Sequence, residues 1–286
     1  NTGLTPATGS TPITNLGYLI VNKGTSQATT LTCNIGGTLT QGLTDNWLTL
    51  QNGTFIYTRT GNIAINTTTD FTIPSTAGLT INTPSNVNIS NSATSETLYL
   101  NGKLKVDAGN VYIGPSGNTA NNADIEYADG GYSEIEITGG NLFVNGQIRR
   151  PLSTTNGNLK FTQSGGNIYV YGNNPLATNL VRAKLEVVNN GSTFNMSGGT
   201  LYIVRGGGTT FGDLFIRPQN SSVTGGDIVF TQASPPLLTV VDVAQNYSLD
   251  ANIPLNNLTI TGKTAGTVRN ATVTLMVNPL ILNGNL

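Results

Sequence analysis

Short alternations of apolar and polar residues recur along the chain, and several of them follow a Gly-Gly pair. Four segments share the order small hydroxyl residue, Gly, Gly, polar residue and three mainly apolar residues: Thr138–Val144, Ser164–Val170, Ser197–Ile203 and Thr224–Phe230. Gly109–Ile113 is an abbreviated copy of the same segment. Because alternate side chains of an extended strand point to opposite sides, each copy predicts one short β-strand after a glycine turn.

The copies recur at similar distances, which indicates an internal repeat. The second glycine lies at positions 140, 166, 199 and 226, so the steps are 26, 33 and 27 residues. A second apolar alternation lies between the copies, at Ile135–Ile137, Leu159–Phe161, Leu185–Val187 and Leu214–Ile216. Repeats of this length, varied by whole loops, are typical of solenoids.

We therefore predict an all-β fold, a right-handed parallel β-helix (β-solenoid) of about ten coils, each of roughly 26 to 33 residues. The short strands could not stand alone as hairpins, and no segment between them has helical periodicity. In stacked coils each strand pairs with its equivalents above and below. Asn and Thr side chains are then expected to form hydrogen-bonded ladders at the turns.

The domain organisation predicted from this pattern is simple. Residues 1–16 are predicted to be an N-terminal tail or connection, and residues 17–286 to be β-solenoid, as a fragment of a longer repeat chain. The repeat is less regular before residue 98, where apolar triplets follow one another every 8 to 11 residues or so. A spacing of this kind also suits a β-sandwich, so a separate sandwich at residues 17–97 is the alternative.

The composition excludes several classes of chemistry. The chain of 286 residues has no His, one Cys, 9% charged residues and a net charge of −1. Without His there is no Ser-His-Asp triad and no His-ligated metal site. Cys33 cannot form an internal disulfide and is predicted to be buried as a small apolar residue. The absence of a basic cluster argues against nucleic acid, and no stretch has the roughly 18 apolar residues of a membrane-spanning helix.

Acidic residues concentrate in one short region. Asp124, Glu126, Glu134 and Glu136 fall on predicted strands at positions that alternate with inward apolar residues. Three interpretations follow: a weak Ca²⁺ site, an acid and base pair for glycan cleavage, or ion pairs with lysines and arginines of neighbouring coils. The signs of charge alternate from coil to coil, which favours the ion pairs. No cofactor other than possible calcium is predicted.

A column of aromatic residues is the second candidate site. The large residue in the middle of each Gly-Gly strand should point outward if its neighbours face the core: Tyr112, Phe143, Tyr169 and Tyr202. Stacked coils would then align these rings on one outer face. The column is interpreted either as a binding platform for sugar rings or a neighbouring solenoid, or as a covered, self-stacking ladder that stabilises the sheet.

The repeat style carries a resemblance. Asn141–Gly146, Leu258–Gly262 and Leu280–Leu286 resemble the leucine-x-valine-asparagine-glycine texture of large Bacteroidota cell-surface adhesins that are exported by the type IX secretion system, including gliding adhesins. The resemblance covers most of residues 98–286. It implies an extracellular, cell-surface β-solenoid segment of an adhesin or filament.

The predicted function is therefore a non-enzymatic structural or adhesive β-solenoid that acts as a stiff spacer. Its expected partners are surface glycans or neighbouring solenoid segments, with no nucleic acid and no membrane insertion. One alternative is a polysaccharide lyase or glycosidase, with Arg217 or Arg205 near Asp213 and Asp227. Another is a self-assembling filament or surface-layer subunit, because uncapped terminal coils could pair end to end.

Overall fold

The computed structural model describes residues 2–4, 15–34, 40–41, 45–90, 96–115, 123–129, 132–152, 156–172, 183–204, 213–231, 245–261 and 271–286. These residues contain 22 β-strands and no helix, and hence no helix long and apolar enough to cross a membrane. The strands, in chain order, are β1 Thr2–Leu4, β2 Asn15–Leu16, β3 Leu19–Asn22, β4 Thr30–Cys33, β5 Thr40–Gln41, β6 Leu48–Tyr57, β7 Ile63–Ile65, β8 Phe71–Ile73, β9 Ala77–Ile89, β10 Leu98–Leu100, β11 Lys103–Ile113, β12 Ile125–Tyr127, β13 Tyr132–Ile137, β14 Asn141–Val144, β15 Ile148–Arg149, β16 Asn158–Gln163, β17 Asn167–Val170, β18 Leu185–Val204, β19 Leu214–Thr231, β20 Gln245–Ala251, β21 Asn257–Ile260 and β22 Ala271–Leu275.

Every pairing among the described strands is parallel, and each coil contributes to three faces in turn. The first face includes the ladder β8, β10, β12, β15 and the starts of β18 and β19. The second face pairs β4, the end of β6, the starts of β9 and β11, β13, β16 and the middle of β18. The third face pairs β7, the ends of β9 and β11, β14, β17, the ends of β18 and β19, and β21. These ladders confirm the parallel β-solenoid.

The coil count is lower than the prediction of about ten. Among the described residues, seven consecutive coils from Leu48 to Thr231 have a strand of the 20-stranded sheet on all three faces. Coils at either end have such strands on only some faces. Equivalent residues on the first face lie 23 residues apart at Ile125 and Ile148 and 37 residues apart at Ile148 and Leu185, a wider range than predicted. The right-handed sense stays a prediction.

The solenoid includes most of the described part of the first hundred residues, whereas β2 and β5 pair with each other in a separate two-stranded sheet. β3 pairs with β6, and β4 pairs with the end of β6, in parallel register. This arrangement differs from the antiparallel sandwich that was the alternative for residues 17–97. Of the segment predicted as a tail, residues 2–4 and 15–16 lie in β1 and β2, and the rest lies outside the described residues. The boundary at residue 16 stays a prediction.

Glycine is required at the two positions of each repeat for different structural reasons. The second, as at Gly140 and Gly166, has φ angles of 65° and 62°, a conformation that L side chains rarely adopt. The first lies against the coil before it: a Cβ on Gly139 would lie 2.4 Å from the carbonyl oxygen of Asp107. One glycine therefore makes the turn, and the other allows the coils to stack.

An asparagine ladder follows the glycine turns along the third face. Asn110 Nδ2 donates to Asn86 Oδ1 at 3.0 Å, Asn141 Nδ2 to Asn110 Oδ1 at 2.8 Å, and Asn167 Nδ2 to Asn141 Oδ1 at 2.9 Å. Each amide thus donates to its equivalent one coil before. The predicted Asn ladders are confirmed at this corner.

The core lies inside the coils and consists of stacked apolar columns. Inward residues of all three faces form one buried cluster, and Phe161 and Phe194 stack there with ring centroids 5.0 Å apart. Cys33 is fully buried in this cluster, as predicted from its apolar character. Because the interior is filled by side chains, a binding site must lie on the outer side of a face.

Candidate functional site

The aromatic residues predicted from the Gly-Gly repeat do form a column. Tyr112, Phe143, Tyr169 and Tyr202 are paired in register along the third face. Their ring centroids are 4.7, 4.8 and 4.5 Å apart, and the planes of adjacent rings differ by less than about 10°. At these separations, offset parallel rings attract one another. The predicted register is therefore confirmed.

Three rings of the column are buried, and Tyr202 is partly buried. Tyr112 is 5%, Phe143 3% and Tyr169 7% exposed. Together with Tyr171 and Val204 these rings form a buried cluster separate from the inner core. Burial, followed by the neighbouring Tyr202, raises the pKa of Tyr169 to about 12. Of the two interpretations that the sequence left open, the arrangement is that of the covered, self-stacking ladder, and ligand binding by these residues stays a prediction.

The four acidic residues predicted as weak calcium ligands are divided between two faces. Asp124 and Glu126 lie at the first face, beside and within β12. Glu134 and Glu136 lie on β13 of the second face. Within the part of the chain that the structure describes, no group of three or more His, Cys, Asp or Glu residues could hold a metal ion. The four carboxylates therefore do not form a joint site.

Asp124 and Glu126 are bound by one buried arginine of the next coil. Arg149 Nε lies 2.7 Å from Asp124 Oδ2, and its Nη1 pairs with Glu126. Asp124 also accepts a hydrogen bond from the backbone N–H of Gln147 at 2.6 Å. Burial raises the pKa of Asp124 more than Arg149 and this N–H lower it. This is the predicted ion pairing between coils, but in a buried setting.

Glu134 and Glu136 belong to a more open ionic cluster with three lysines. Lys103 lies 3.2 Å from Glu134 and pairs with Glu136 as well, Lys105 lies 3.5 Å from Glu136, and Lys160 lies 3.0 Å from Glu134. Burial raises the pKa of Glu136, but the hydrogen bond and charge of Lys103 outweigh it, so that this pKa is lowered. Here too the predicted ion pairs between coils are confirmed.

The residues suggested for glycan cleavage are paired with other groups. Arg217 lies 2.6 Å from Asp250, and Lys184 lies 3.5 Å from Asp213. Asp227 accepts a hydrogen bond at 2.8 Å from the Asn257 amide on the next coil. Arg205 lies outside the described residues. Each of the described side chains is therefore paired with a group other than the residues named with it, and glycan cleavage stays an alternative.

A shallow groove of about 450 Å³ on the outer side of the second face is the candidate binding site. Ile56 and Thr80 lie along it in register, one coil apart, and Lys105 follows on the third coil. The segment before β4 forms a wall, because Thr54 Oγ1 donates to the Gln27 carbonyl at 2.7 Å. The groove is therefore built from four successive coils.

Sequence reasoning missed this groove for a physical reason. Its residues come from four coils, and their outward threonines are common throughout the chain. The detectable signal is the order of one outward row, in which Thr32, Ile56 and Thr80 precede Lys105. That row becomes visible only when the register between coils is known.

The comparisons with known proteins add no relative. No protein-family model matches this chain, and no curated protein or solved structure matches it significantly.

Proposed function

We propose that this chain is a non-enzymatic structural and adhesive β-solenoid that acts as a stiff spacer at a cell surface. The observation that carries the proposal is the interlocking of successive coils. Three parallel backbone ladders continue through seven coils of the described chain. In such repeat proteins the neighbouring coils provide most of the stabilising contacts, so continuous contacts give a rigid rod.

Side chains reinforce the backbone ladders outside the core as well as within it. The Asn86–Asn167 amide ladder and the ring stack on the third face both run along the coil axis. Ion pairs also connect coils, as between Arg149 and Asp124 or between Lys160 and Glu134. A spacer needs contacts of this kind, because bending the rod would separate them.

The enzymatic alternative has less support than the structural one. An enzyme that cleaves glycans needs an acid and a base that converge on a sugar. The nominated Arg217 pairs with Asp250 instead, and Asp213 with Lys184. The absence of catalysis stays part of the proposal. It predicts no new reducing ends or unsaturated products when the purified chain is incubated with plant, algal and bacterial polysaccharides.

The adhesive part of the proposal places recognition on the second face rather than on the covered aromatic column. The second face carries the groove and the partly exposed ionic cluster. Its proposed partners are surface glycans or neighbouring solenoid segments. The cell-surface location rests on the resemblance of the repeat style to large secreted adhesins.

Stiffness can be tested by the distance between two spin labels. The exposed Thr60 and Ser221 lie in the first and the last of the seven complete coils and would be labelled as Thr60→Cys and Ser221→Cys. Pulsed electron spin resonance should give one narrow distance distribution. Cys33 is buried, so the unsubstituted chain treated with the same reagent is the control. A broad or multiple distribution would contradict the spacer function.

Self-assembly is a second candidate function, favoured by exposed apolar residues at 271–286. Leu275 is 44%, Val277 70% and Ile281 53% exposed. Exposed apolar surface often marks a contact with another molecule. Light scattering across a concentration series tests this candidate. Growth to particles larger than a monomer would support it, and a constant monomer mass would exclude it.

A further inference from the structure

The groove on the second face has a preformed wall. Thr54 Oγ1 donates to the carbonyl of Gln27 at 2.7 Å, and Gln27 Nε2 donates to the Ser75 carbonyl at 3.0 Å. Lys23 Nζ donates to the Thr30 carbonyl at 3.3 Å at the base of the same segment. The first two contacts connect the wall to the following coils, and the third lies within its own coil. The groove therefore exists before any ligand binds.

A residue without a side chain lies between two of the residues that line the groove. In the outward row that contains Thr54 and Lys103, the residue between them is Gly78. A Cβ on Gly78 would lie 2.7 Å from Thr54 Oγ1, so a larger residue would crowd this place. Ile56, which pairs with Thr80 two residues further along the same strands, also lines the groove. The result is a small apolar floor between polar walls.

The polar groups around this floor suit hydroxyl groups. Lys103 and Lys105 supply donors, Asp107 supplies an acceptor, and Asn82 supplies both. The ammonium groups are balanced by carboxylates, since Lys105 lies 3.1 Å from Asp107 and Lys103 pairs with Glu134 and Glu136. An anionic ligand would therefore meet carboxylates as well as ammonium groups. A sugar hydroxyl, which is both donor and acceptor, fits a wall of both kinds.

The geometry of the coils also matches a chain of sugars. Neighbouring strands of a sheet are about 4.8 Å apart, which is close to the length of one pyranose unit along a polysaccharide. A glycan that lies along the coil axis would thus meet one coil per sugar. A volume of about 450 Å³ lies within the usual range of small-ligand sites and leaves room for a short oligosaccharide.

We propose that this groove binds a segment of a neutral polysaccharide, whose hydroxyl groups bond to Lys105, Asp107 and Asn82 while a ring face packs on Ile56. The inference rests on the adhesive part of the proposed function and names its ligand class. It involves no covalent step.

Calorimetric titration with cellotetraose, chitotetraose and mannotetraose tests the proposal, with tetragalacturonate as the acidic probe. At least one neutral tetrasaccharide should bind, and Thr80→Trp should weaken that binding by about tenfold or more, because the indole would fill the groove. Thr162→Trp is the matched control, since Thr162 occupies the same outward row beyond the groove. It should bind as the unsubstituted chain does.

A second pair of variants tests the groove even if Thr80→Trp disturbs folding. Lys105→Met should weaken the same binding by about fivefold or more, and Lys160→Met, on the same face outside the groove, should leave it unchanged. The proposal is overturned if no neutral tetrasaccharide binds, if only tetragalacturonate binds, or if Thr80→Trp and Lys105→Met bind unchanged. The spin-label distance reports stiffness separately, so the spacer function could survive any of these results.

Discussion

Outward residues of this solenoid occupy two different environments. On the first face, Arg149 and its partner Asp124 are 5% and 2% exposed in their side chains. On the second face, Lys103 and Glu134 are 25% and 14% exposed, and Lys160 is 36% exposed. Both clusters connect one coil to the next by ion pairs. They therefore allow the same interaction to be compared in a covered and in an open setting.

The difference between the two clusters shows that a side chain pointing away from the core is not necessarily exposed to solvent. The pKa of Asp124 is raised because burial dominates, whereas the pKa of Glu136 is lowered because Lys103 outweighs burial. The aromatic column on the third face belongs to the covered class, although its residues also alternate with the core. Covered outer residues thus act as a second core, and open ones are available for recognition.

Truncation of a covered ring should have the largest effect on stability. Phe143 stacks between Tyr112 and Tyr169, so Phe143→Ala removes two ring contacts and leaves a cavity. We expect a loss of about 3 to 5 kcal/mol in the free energy of unfolding, measured by urea denaturation. The open counterpart is Tyr99, which is 37% exposed on the first face. Tyr99→Ala should cost less than about 1 kcal/mol. Equal losses would show that the ring column is not covered in solution.

Removal of the buried cation Arg149 should cause the second-largest loss of stability. Arg149→Met leaves Asp124 and Glu126 without their cation, and a buried charge that loses its partner typically costs about 3 kcal/mol or more. Lys160→Met removes an open cation of the second face and should cost less than about 1 kcal/mol. Urea midpoints of the two variants give the comparison. If Lys160→Met were as damaging as Arg149→Met, burial would not be the cause of the difference.

Much of the fold could be predicted because the repeated residues indicate where the turns and strands lie. Gly140 and Gly166 mark the turns, the alternation that follows each pair marks the strands, and Asn110 and Asn141 fall at equivalent positions. Parallel stacking then follows from strands too short to pair in any other way. The number of complete coils was harder to predict, because coil length varies and apolar triplets alone do not show which face they belong to.

The site could be predicted only in part. The register of Tyr112, Phe143, Tyr169 and Tyr202 followed from periodicity, but periodicity does not show whether side chains that point away from the core are buried. The sequence indicated that carboxylates pair with cations of neighbouring coils. It could not indicate that Arg149 is buried while Lys160 is not. The groove was missed because Gln27, Thr54 and Lys105 come together only when the coils are stacked.

Lowering the pH should change the contributions of Glu136 and Asp124 to folding stability in opposite directions. The folded pKa of Glu136 lies below its ordinary value of 4.5, so its stabilising contribution is present above that pH and is lost below it. The folded pKa of Asp124 lies above its ordinary value of 3.8, so its ionised form costs stability, which returns as the pH falls toward 3.8. Relative to the unsubstituted chain, Glu136→Gln should flatten the loss of stability in acid.

The matching variant of the first face, Asp124→Asn, should change the acid dependence of stability in the opposite direction. Asp124→Asn removes the group that gains stability on protonation, so the loss of stability in acid should be steeper for this variant. Urea midpoints between neutral pH and about pH 3 measure both slopes. Slopes that change in the same direction for both variants would contradict the assignment of Asp124 to a buried environment.

Salt should produce the smallest effect and should act on the open cluster alone. At about 1 M salt the screening length falls to about 3 Å, which weakens pairs that water can reach, whereas a buried pair is screened much less. The cost of Lys160→Met, a few tenths of a kcal/mol at low salt, should therefore approach zero, because the interaction of Lys160 with Glu134 is already screened. The cost of Arg149→Met should stay nearly constant across the same range, because Arg149 and Asp124 are both buried. Unfolding midpoints of the two variants and the unsubstituted chain, measured at low and high sodium chloride, separate these outcomes. A salt-dependent cost for Arg149→Met would place water at the first face and remove the distinction between the two clusters.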